Sequence, residues 1–208
     1  MPADEVEVDR AAADRAAHRD AELTALAERA AAGETKALNT LLEKIRPTVL
    51  RYCRARLGGG DSGLQTAEDV AQDVLLAVCS AIPRYEPRGN PAMSFVIGIA
   101  RNKVVDAYRA AGRDRSRPTD QIPDDIDDGP GPDVRVLQKT DAAQLRALLD
   151  QLPAAHREVL VMRIALQFSA AETAIALGST AGAVRVTQHR ALARLRALVA
   201  AQSAVEGV

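Results

Sequence analysis

Three histidines, His18, His156 and His189, are the groups in this chain best suited to proton transfer near neutral pH, and they stand far apart in the sequence. No HExxH spacing offers a metal two ligands on one helix face, and no glycine-rich loop is placed to cradle a phosphate. Cys53 and Cys79 fall singly among apolar helix positions without the CxxC spacing of a zinc site, so both read as core residues. The aspartates between Asp124 and Asp128 would suit a divalent cation, but they lie in a proline- and glycine-rich stretch and read as solvated linker. The expectation is a protein that is not an enzyme and has no catalytic residue, metal site or cofactor. The chemistry left is that of contact, cationic side chains against phosphates and bases.

The formal net charge of −1 would by itself argue against a nucleic-acid binder, since affinity for phosphates comes from neutralising them. The average hides unlike parts. Arg101, Lys103, Arg109, Arg113, Arg115 and Arg117 crowd one stretch against only Asp106 and Asp114. From Ala181 to Leu198 the chain carries Arg185, Arg190, Arg194 and Arg196 and no acid. Between the two, Pro118 to Asp133 is acidic throughout and holds no base. Two basic surfaces and an acidic joint sum to near-neutrality.

The elements that must carry these surfaces are helical. Apolar residues make up 47% of the 208 and aromatic ones 2%, with no Trp, so the core has to be built from Ala, Leu, Val and Ile, a palette that suits packed helices better than sheets. Helical patterns run from about Ala11 to Ile82, with Pro47 expected to restart a helix and Gly58, Gly59, Gly60 and Gly63 making a loop. The Ala-rich opening, with acids and bases mixed, reads as a solvated or frayed terminal helix. A second helical stretch covers Ser94 to Ala111, and Pro153 opens a helix at its first turn after the linker. The fold class expected is all-α, two small helical domains at 1–112 and 139–208 joined by a flexible acidic linker at 113–138. The opening MPADEVEVDR has no signal-peptide pattern and no apolar run reaches membrane-spanning length, which points to a cytoplasmic protein without membrane insertion.

The strongest local pattern is a helix-turn-helix. Ser169 and Glu172 form a capping box, in which each side chain satisfies a free backbone donor at a helix start. Gly178 supplies the left-handed residue that lets the chain turn, and Thr180 caps the next helix. Ala174, four before the glycine, permits a close helix crossing, and Val184, six after it, locks the second helix. With Val184 inward, Ala191 and Leu195 also face inward, while Gly182, Arg185, Val186, His189 and Arg190 turn outward, where they can enter a major groove. Arg185 suits a base edge and Arg190 or Arg194 a phosphate, roles that one sequence does not separate.

Two further surfaces precede the linker. On the helix from Ser94, the residues Ile97, Ala100, Val104, Ala107, Tyr108 and Ala111 form one arc, and Asn102, Asp106, Arg109 and Arg113 the opposite one. Ahead of it, the loop Tyr85 to Pro91, with Arg88 and Asn90, offers a ring and a guanidinium plane on which an unstacked base can lie. The box Thr66 to Asp69 opens a third helix, whose inward stripe is Val70, Val74, Ala77, Val78 and Ala81. Its outward side is Asp69, Gln72, Asp73 and Leu76, and a leucine framed by acids reads as a protein contact.

In order and spacing, the segments AEDVAQDVLL, IARNKVVDAYR and LPAAHREVL through VRVTQHRALARLR, with an acidic Pro/Gly linker before the last, resemble the bacterial sigma factors of the extracytoplasmic-function group. The resemblance covers most of the chain. It implies the sigma-2 and sigma-4 domains alone, and a subunit that docks on core RNA polymerase and directs it to promoters. By that resemblance Glu68, Asp69, Gln72, Asp73 and Leu76 meet the β′ coiled coil. Arg101, Asn102, Lys103, Asp106, Arg109 and Arg113, with Tyr85, Arg88 and Asn90, recognise the minus-10 element of the promoter DNA and hold its non-template strand open. Thr180, Gly182, Arg185, Val186, His189, Arg190 and Arg194 read the minus-35 element, in a domain seated on the β flap, and an anti-sigma factor is an expected partner. About 20 linker residues span roughly 70 Å when extended, or about two turns of duplex at roughly 34 Å each. The chain departs from the family pattern in three places: Met93 and Phe95 stand where an aromatic and a Trp are common, Thr187 to His189 replace a commoner Arg and Ser pattern, and Thr173 replaces an isoleucine. The alternative reading is a stand-alone helix-turn-helix transcriptional regulator that binds its operator as a dimer.

Overall fold

The computed structural model describes residues 20–57, 66–87, 91–114 and 144–206, without the side chains of 111–114 and 203–206. Among them every regular element is helical. The order is α1 (20–31), α2 (Thr35–Leu57), α3 (Ala67–Ala81), a 3-10 turn (Ile82–Arg84), α4 (Ala92–Asp114), α5 (144–150), α6 (Ala154–Leu160), a π turn (Val161–Ala165), α7 (Ala170–Leu177) and α8 (Ala181–Glu206).

In the first unit, α1 to α4, apolar residues recur at helical spacing and meet in one cluster. Leu41, Ile45, Val49 and Tyr52 of α2, Val70, Val74 and Val78 of α3, and Val96, Ile97, Ala100 and Val104 of α4 are all buried there. Two sequence expectations change. Helix α2 runs straight through Pro47. A proline inside a helix removes one backbone donor, and the buried row on either side of it, Leu41, Ile45, Val49 and Tyr52, holds the helix against its neighbours regardless. The opening helix is not merely solvated from residue 20 onward, because Leu23, Leu26, Ala27 and Ala30 of α1 enter the same cluster. Its polar residues are used too: Thr24 Oγ1 and Asp20 Oδ1 accept the Ala92 and Met93 backbone N–H groups at 3.3 and 3.2 Å, satisfying the free donors that open α4.

The second unit, α5 to α8, has two smaller clusters: Val159, Ala170, Ala174 and Val184 in one, Leu152, Leu160 and Ala191 in the other. Pro153 stands one residue earlier than expected, as the N-cap of α6. Arg157 reaches back to Asp150, its Nη1 donating to Oδ1 at 2.6 Å, and so fixes α5 against α6. The two units pack on one another, and Val161, Met162, Leu166 and Phe168 of the second complete the cluster of the first. The glycine loop at 58–63, the linker and its acidic cluster, and the opening before residue 20 lie outside the described residues.

Candidate nucleic-acid interface

The helix-turn-helix forms as its sequence dictates. Ser169 Oγ accepts the Glu172 N–H at 3.1 Å and a Glu172 carboxylate oxygen accepts the Ser169 N–H at 2.7 Å, closing the capping box of α7. Gly178 takes φ 62° and ψ 42°, the left-handed conformation. The Ser179 N–H bonds Ala174 O at 2.8 Å and the Gly178 N–H bonds Ile175 O at 3.2 Å, so the last carbonyls of α7 are satisfied in a Schellman arrangement. Thr180 Oγ1 accepts the Ala183 N–H at 3.2 Å and opens α8.

These caps set the rotation of α8. Val184 and Ala191 are buried and Leu195 is half-buried, while Thr180, Gly182, Arg185, Val186, His189, Arg190 and Arg194 are all exposed. Thr187 and Gln188 are half-buried instead. Gln188 is held from within its own unit: its Oε1 accepts Arg163 Nε at 2.7 Å, and Arg163 Nη1 also donates to Phe168 O. The π turn, closed by the Leu166 N–H on Val161 O, presents Arg163 to both, and Gln167 follows it with φ 55°. Nothing in the sequence signals a left-handed glutamine.

On α4, Asn102, Asp106 and Arg109 are exposed as expected, with Arg109 Nη1 3.4 Å from Asp106 Oδ1. Tyr108 differs from expectation: it is exposed, its hydroxyl donating to Arg56 O. Its position at the edge of the arc and its polar tip explain this, since the hydroxyl reaches a carbonyl on α2 that a buried ring would miss. Arg101 is half-buried, its Nη1 donating to Ala176 O at 3.3 Å on α7. Lys103 is half-buried beside Arg84 and Phe95 in an open cleft. Tyr85 is buried, its ring 5.1 Å from that of Phe95 at 57°, and burial pushes its phenol pKa upward. A ring used in this way packs the base of the loop and leaves no free face for a base. Arg88, Asn90 and the side chain of Arg113 lie outside the described residues.

On α3, Thr66 and Asp69 close their capping box, with the Thr66 N–H on Asp69 Oδ2 at 3.0 Å and the Asp69 N–H on Thr66 Oγ1 at 3.1 Å. The hydrogen bonds from Thr66 hold the Asp69 carboxyl below its ordinary pKa. Glu68 is exposed and accepts Arg54 Nε at 2.8 Å. Gln72 is exposed, Asp73 half-buried, and Leu76 is 59% exposed, a large apolar side chain left standing among polar neighbours. The three surfaces therefore lie on three different helices, α3, α4 and α8.

What sequence reasoning missed is the seam between the units. Tyr52, buried on α2, donates to Glu158 Oε1 at 2.6 Å, and Arg56 Nε stands 3.2 Å from Glu158 Oε2. A cleft of about 460 Å³ opens beside this cluster, lined by Tyr52, Arg56, Arg101, Glu158, Leu177 and Val184 among others. The signal available was a polar residue, Glu158, directly before the buried pair Val159 and Leu160 on a short helix. Nothing local says which unit it serves.

Among the described residues no helix is long and apolar enough to cross a membrane. Comparison with known proteins gives two family matches in the order seen here: residues 41–114 match Sigma-70 region 2 and residues 142–195 match Sigma-70, region 4. The chain is 48% identical over 174 residues to the ECF RNA polymerase sigma factor SigD of Mycobacterium tuberculosis, an alignment covering 84% of this chain and 82% of that one. It is 47% identical over 188 residues to the ECF RNA polymerase sigma factor ShbA of Streptomyces griseus, covering 86% and 98%. The fold is similar to that of CnrH, a sigma factor of Cupriavidus metallidurans, solved in complex with the cytosolic domain of CnrY: TM-score 0.64 and 25% identity over 86% of this chain and 98% of that one. Nothing in these matches favours the stand-alone regulator. With both regions present, in order, and near-half identity to two relatives over most of their length, the chain belongs to the extracytoplasmic-function RNA polymerase sigma factors.

Proposed function

We propose that this sigma factor, which binds core RNA polymerase and directs promoter-specific initiation, divides that work among the three helical surfaces just described. The face of α3 with Glu68, Asp69, Gln72, Asp73 and Leu76 docks on the β′ coiled coil. The exposed Leu76 supports this, because an isolated apolar side chain framed by acids gains from a partner and not from water. The α4 face, with Arg101, Asn102, Lys103, Asp106, Arg109 and Arg113 and the loop holding Arg88 and Asn90, takes the minus-10 element. In that loop Tyr85 acts as a packing residue, and Arg88 and Asn90 meet the strand.

The observation that carries the reading most directly is α8. Its caps turn Arg185, His189, Arg190 and Arg194 to solvent on a helix whose opposite side is buried, which is what reading a major groove at the minus-35 element requires. The rest of its unit sits on the β flap. The units extend over 1–112 and 139–208 with the linker at 113–138, and tethering both to polymerase makes two weak DNA contacts additive through effective concentration. The protein carries out no catalysis of its own, works in the cytoplasm and is held by an anti-sigma factor when inactive, as the solved pairing of CnrH with CnrY suggests by likeness.

Run-off transcription with core polymerase on a library of genomic promoters tests the whole. Promoter-specific transcripts are expected, and their absence overturns the reading. Arg185→Ala is expected to cut minus-35-dependent transcription by the equivalent of about 1–3 kcal/mol while leaving core binding intact. Loss of core binding instead would assign the α8 face to polymerase and not to DNA.

A further inference from the structure

The helix that carries the minus-10 face begins without a cap of its own. The residue before α4 is Pro91, which has no side-chain acceptor, and the first turn from Ala92 holds no acid to meet the positive end of the helix. Pro91 O accepts the Phe95 N–H at 3.1 Å, but the donors ahead of Phe95 have no carbonyl within the helix to bond. Helix α1 supplies what is missing, from 68 and 73 residues earlier in the chain: Thr24 Oγ1 accepts the Ala92 N–H at 3.3 Å and Asp20 Oδ1 the Met93 N–H at 3.2 Å. Both acceptors are half-buried, and Ala92 and Met93 are buried. The Thr24 side chain is engaged a second time, in a hydrogen bond with the Tyr85 hydroxyl. Tyr85 ends the 3-10 turn, and its ring packs on that of Phe95 in the first turn of α4. One hydroxyl serves both partners, since it has a donor and two acceptor lone pairs. A single threonine on α1 therefore holds the chain on both sides of residues 86–91.

Attachment of α1 does not need these bonds. Leu23, Leu26, Ala27 and Ala30 already seat it in the cluster that α4 shares, and burial of apolar area is non-directional. Hydrogen bonds are directional, so what Thr24 and Asp20 add is a setting of α4 along and about its axis, and of Tyr85 relative to it. We propose that Thr24 and Asp20 are positioning residues for promoter opening: from α1 they brace the start of α4 and the Tyr85 root, so that the minus-10 face meets the DNA strand already set. A face that is correctly set only part of the time binds more weakly by that fraction. The brace rests on the assignment of α4 to the minus-10 element.

Thr24→Val removes the hydroxyl and keeps the shape of the side chain. In holoenzyme assembled from the full-length chain and core RNA polymerase, opening is read by the permanganate reactivity of unpaired thymines in the minus-10 region. Thr24→Val is expected to slow opening about tenfold, because the hydrogen bonds to Ala92 and Tyr85 are lost together, while affinity for core and for a minus-35 duplex stays as in wild type. Thr24→Ser keeps the oxygen and should open at the wild-type rate. Asp20→Ala, which deprives the Met93 N–H of its acceptor, should slow opening by less. Pro91→Ser gives α4 a cap of its own and so separates positioning from helix stability. In that background Thr24→Val should still slow opening about tenfold relative to Pro91→Ser alone. If the added cap erases the effect, Thr24 serves only as a cap and the brace is overturned. Wild-type opening by Thr24→Val, with poor opening by Asn102→Ala holoenzyme, overturns the brace alone. Wild-type opening by both overturns the assignment of α4, and the brace with it. Circular dichroism checks folding, and if Thr24→Val does not fold, Asp20→Ala decides by the same readouts.

Discussion

The two units of this sigma factor are built by different means. The first gathers side chains of α1 to α4 around a single cluster, with Leu41, Ile45, Val49, Tyr52, Val74, Val78 and Ile97 all but sealed from solvent. The second divides its own burial between two small groups made mostly of alanine, leucine and valine, and lends its two largest sealed side chains, Met162 and Phe168, to the cluster of the first. Burial scales with apolar area, so the first unit is held by volume. The second is specified by its frame: a capping box at Ser169, a left-handed glycine at 178, a threonine cap at 180 and the Arg163 clasp on Phe168 and Gln188. Thin packing suits a helix-turn-helix, whose helices must cross closely, but it makes the second unit depend on the first for part of its stability.

Phe168→Ala puts the largest strain on that contrast. Emptying a sealed phenylalanine site costs about 3–5 kcal/mol, and the residue belongs to the second unit by sequence and to the first by packing. Hydrogen exchange followed by mass spectrometry should show protection collapsing in α6 to α8 while α2 and α3 keep most of theirs. An equal loss in both units would mean that they share one cooperative core and are not held by different means.

Gly178→Val tests the frame without touching volume. A Cβ at residue 178 meets nothing within 4 Å, so the whole penalty comes from forcing a β-branched residue into φ 62°. The left-handed conformation costs an L-residue about 1–2 kcal/mol. Chemical denaturation should show a loss of that size, confined to the second unit, together with weaker binding of a minus-35 duplex. A neutral result would show that the turn follows from packing and does not specify it.

The same contrast explains what could be read from the sequence. Ser169 with Glu172, Thr66 with Asp69, Gly178 and the outward face of α8 were legible because each obeys a rule contained within one or two helical turns. The family pattern supplied the order of the surfaces. Pro47, Tyr108 and Tyr85 defied expectation because their neighbours across the core decide their state: a helix outlasts its proline when the row around it is buried, and a ring turns inward when another ring waits there. The seam at Glu158 was illegible for a stronger reason. Tyr52 and Glu158 are 106 residues apart and in different units, and no periodicity connects them. Gln167 belongs with these, since its left-handed backbone is imposed by the π turn before it.

Thr173 gives the smallest and sharpest test. It is fully buried on α7, with its Oγ1 lacking a hydrogen-bond partner among the described residues. A sealed, unsatisfied hydroxyl costs about 1–3 kcal/mol. Replacing it by an isosteric methyl removes that cost without opening a cavity, because Val and Thr have nearly the same shape. Thr173→Val should therefore raise stability by about 1 kcal/mol in chemical denaturation, and the gain should appear in the second unit, whose helix α7 carries the hydroxyl. A loss of stability would show that Thr173 has a partner supplied by a buried water, and that polar contacts extend into the packed face of α7.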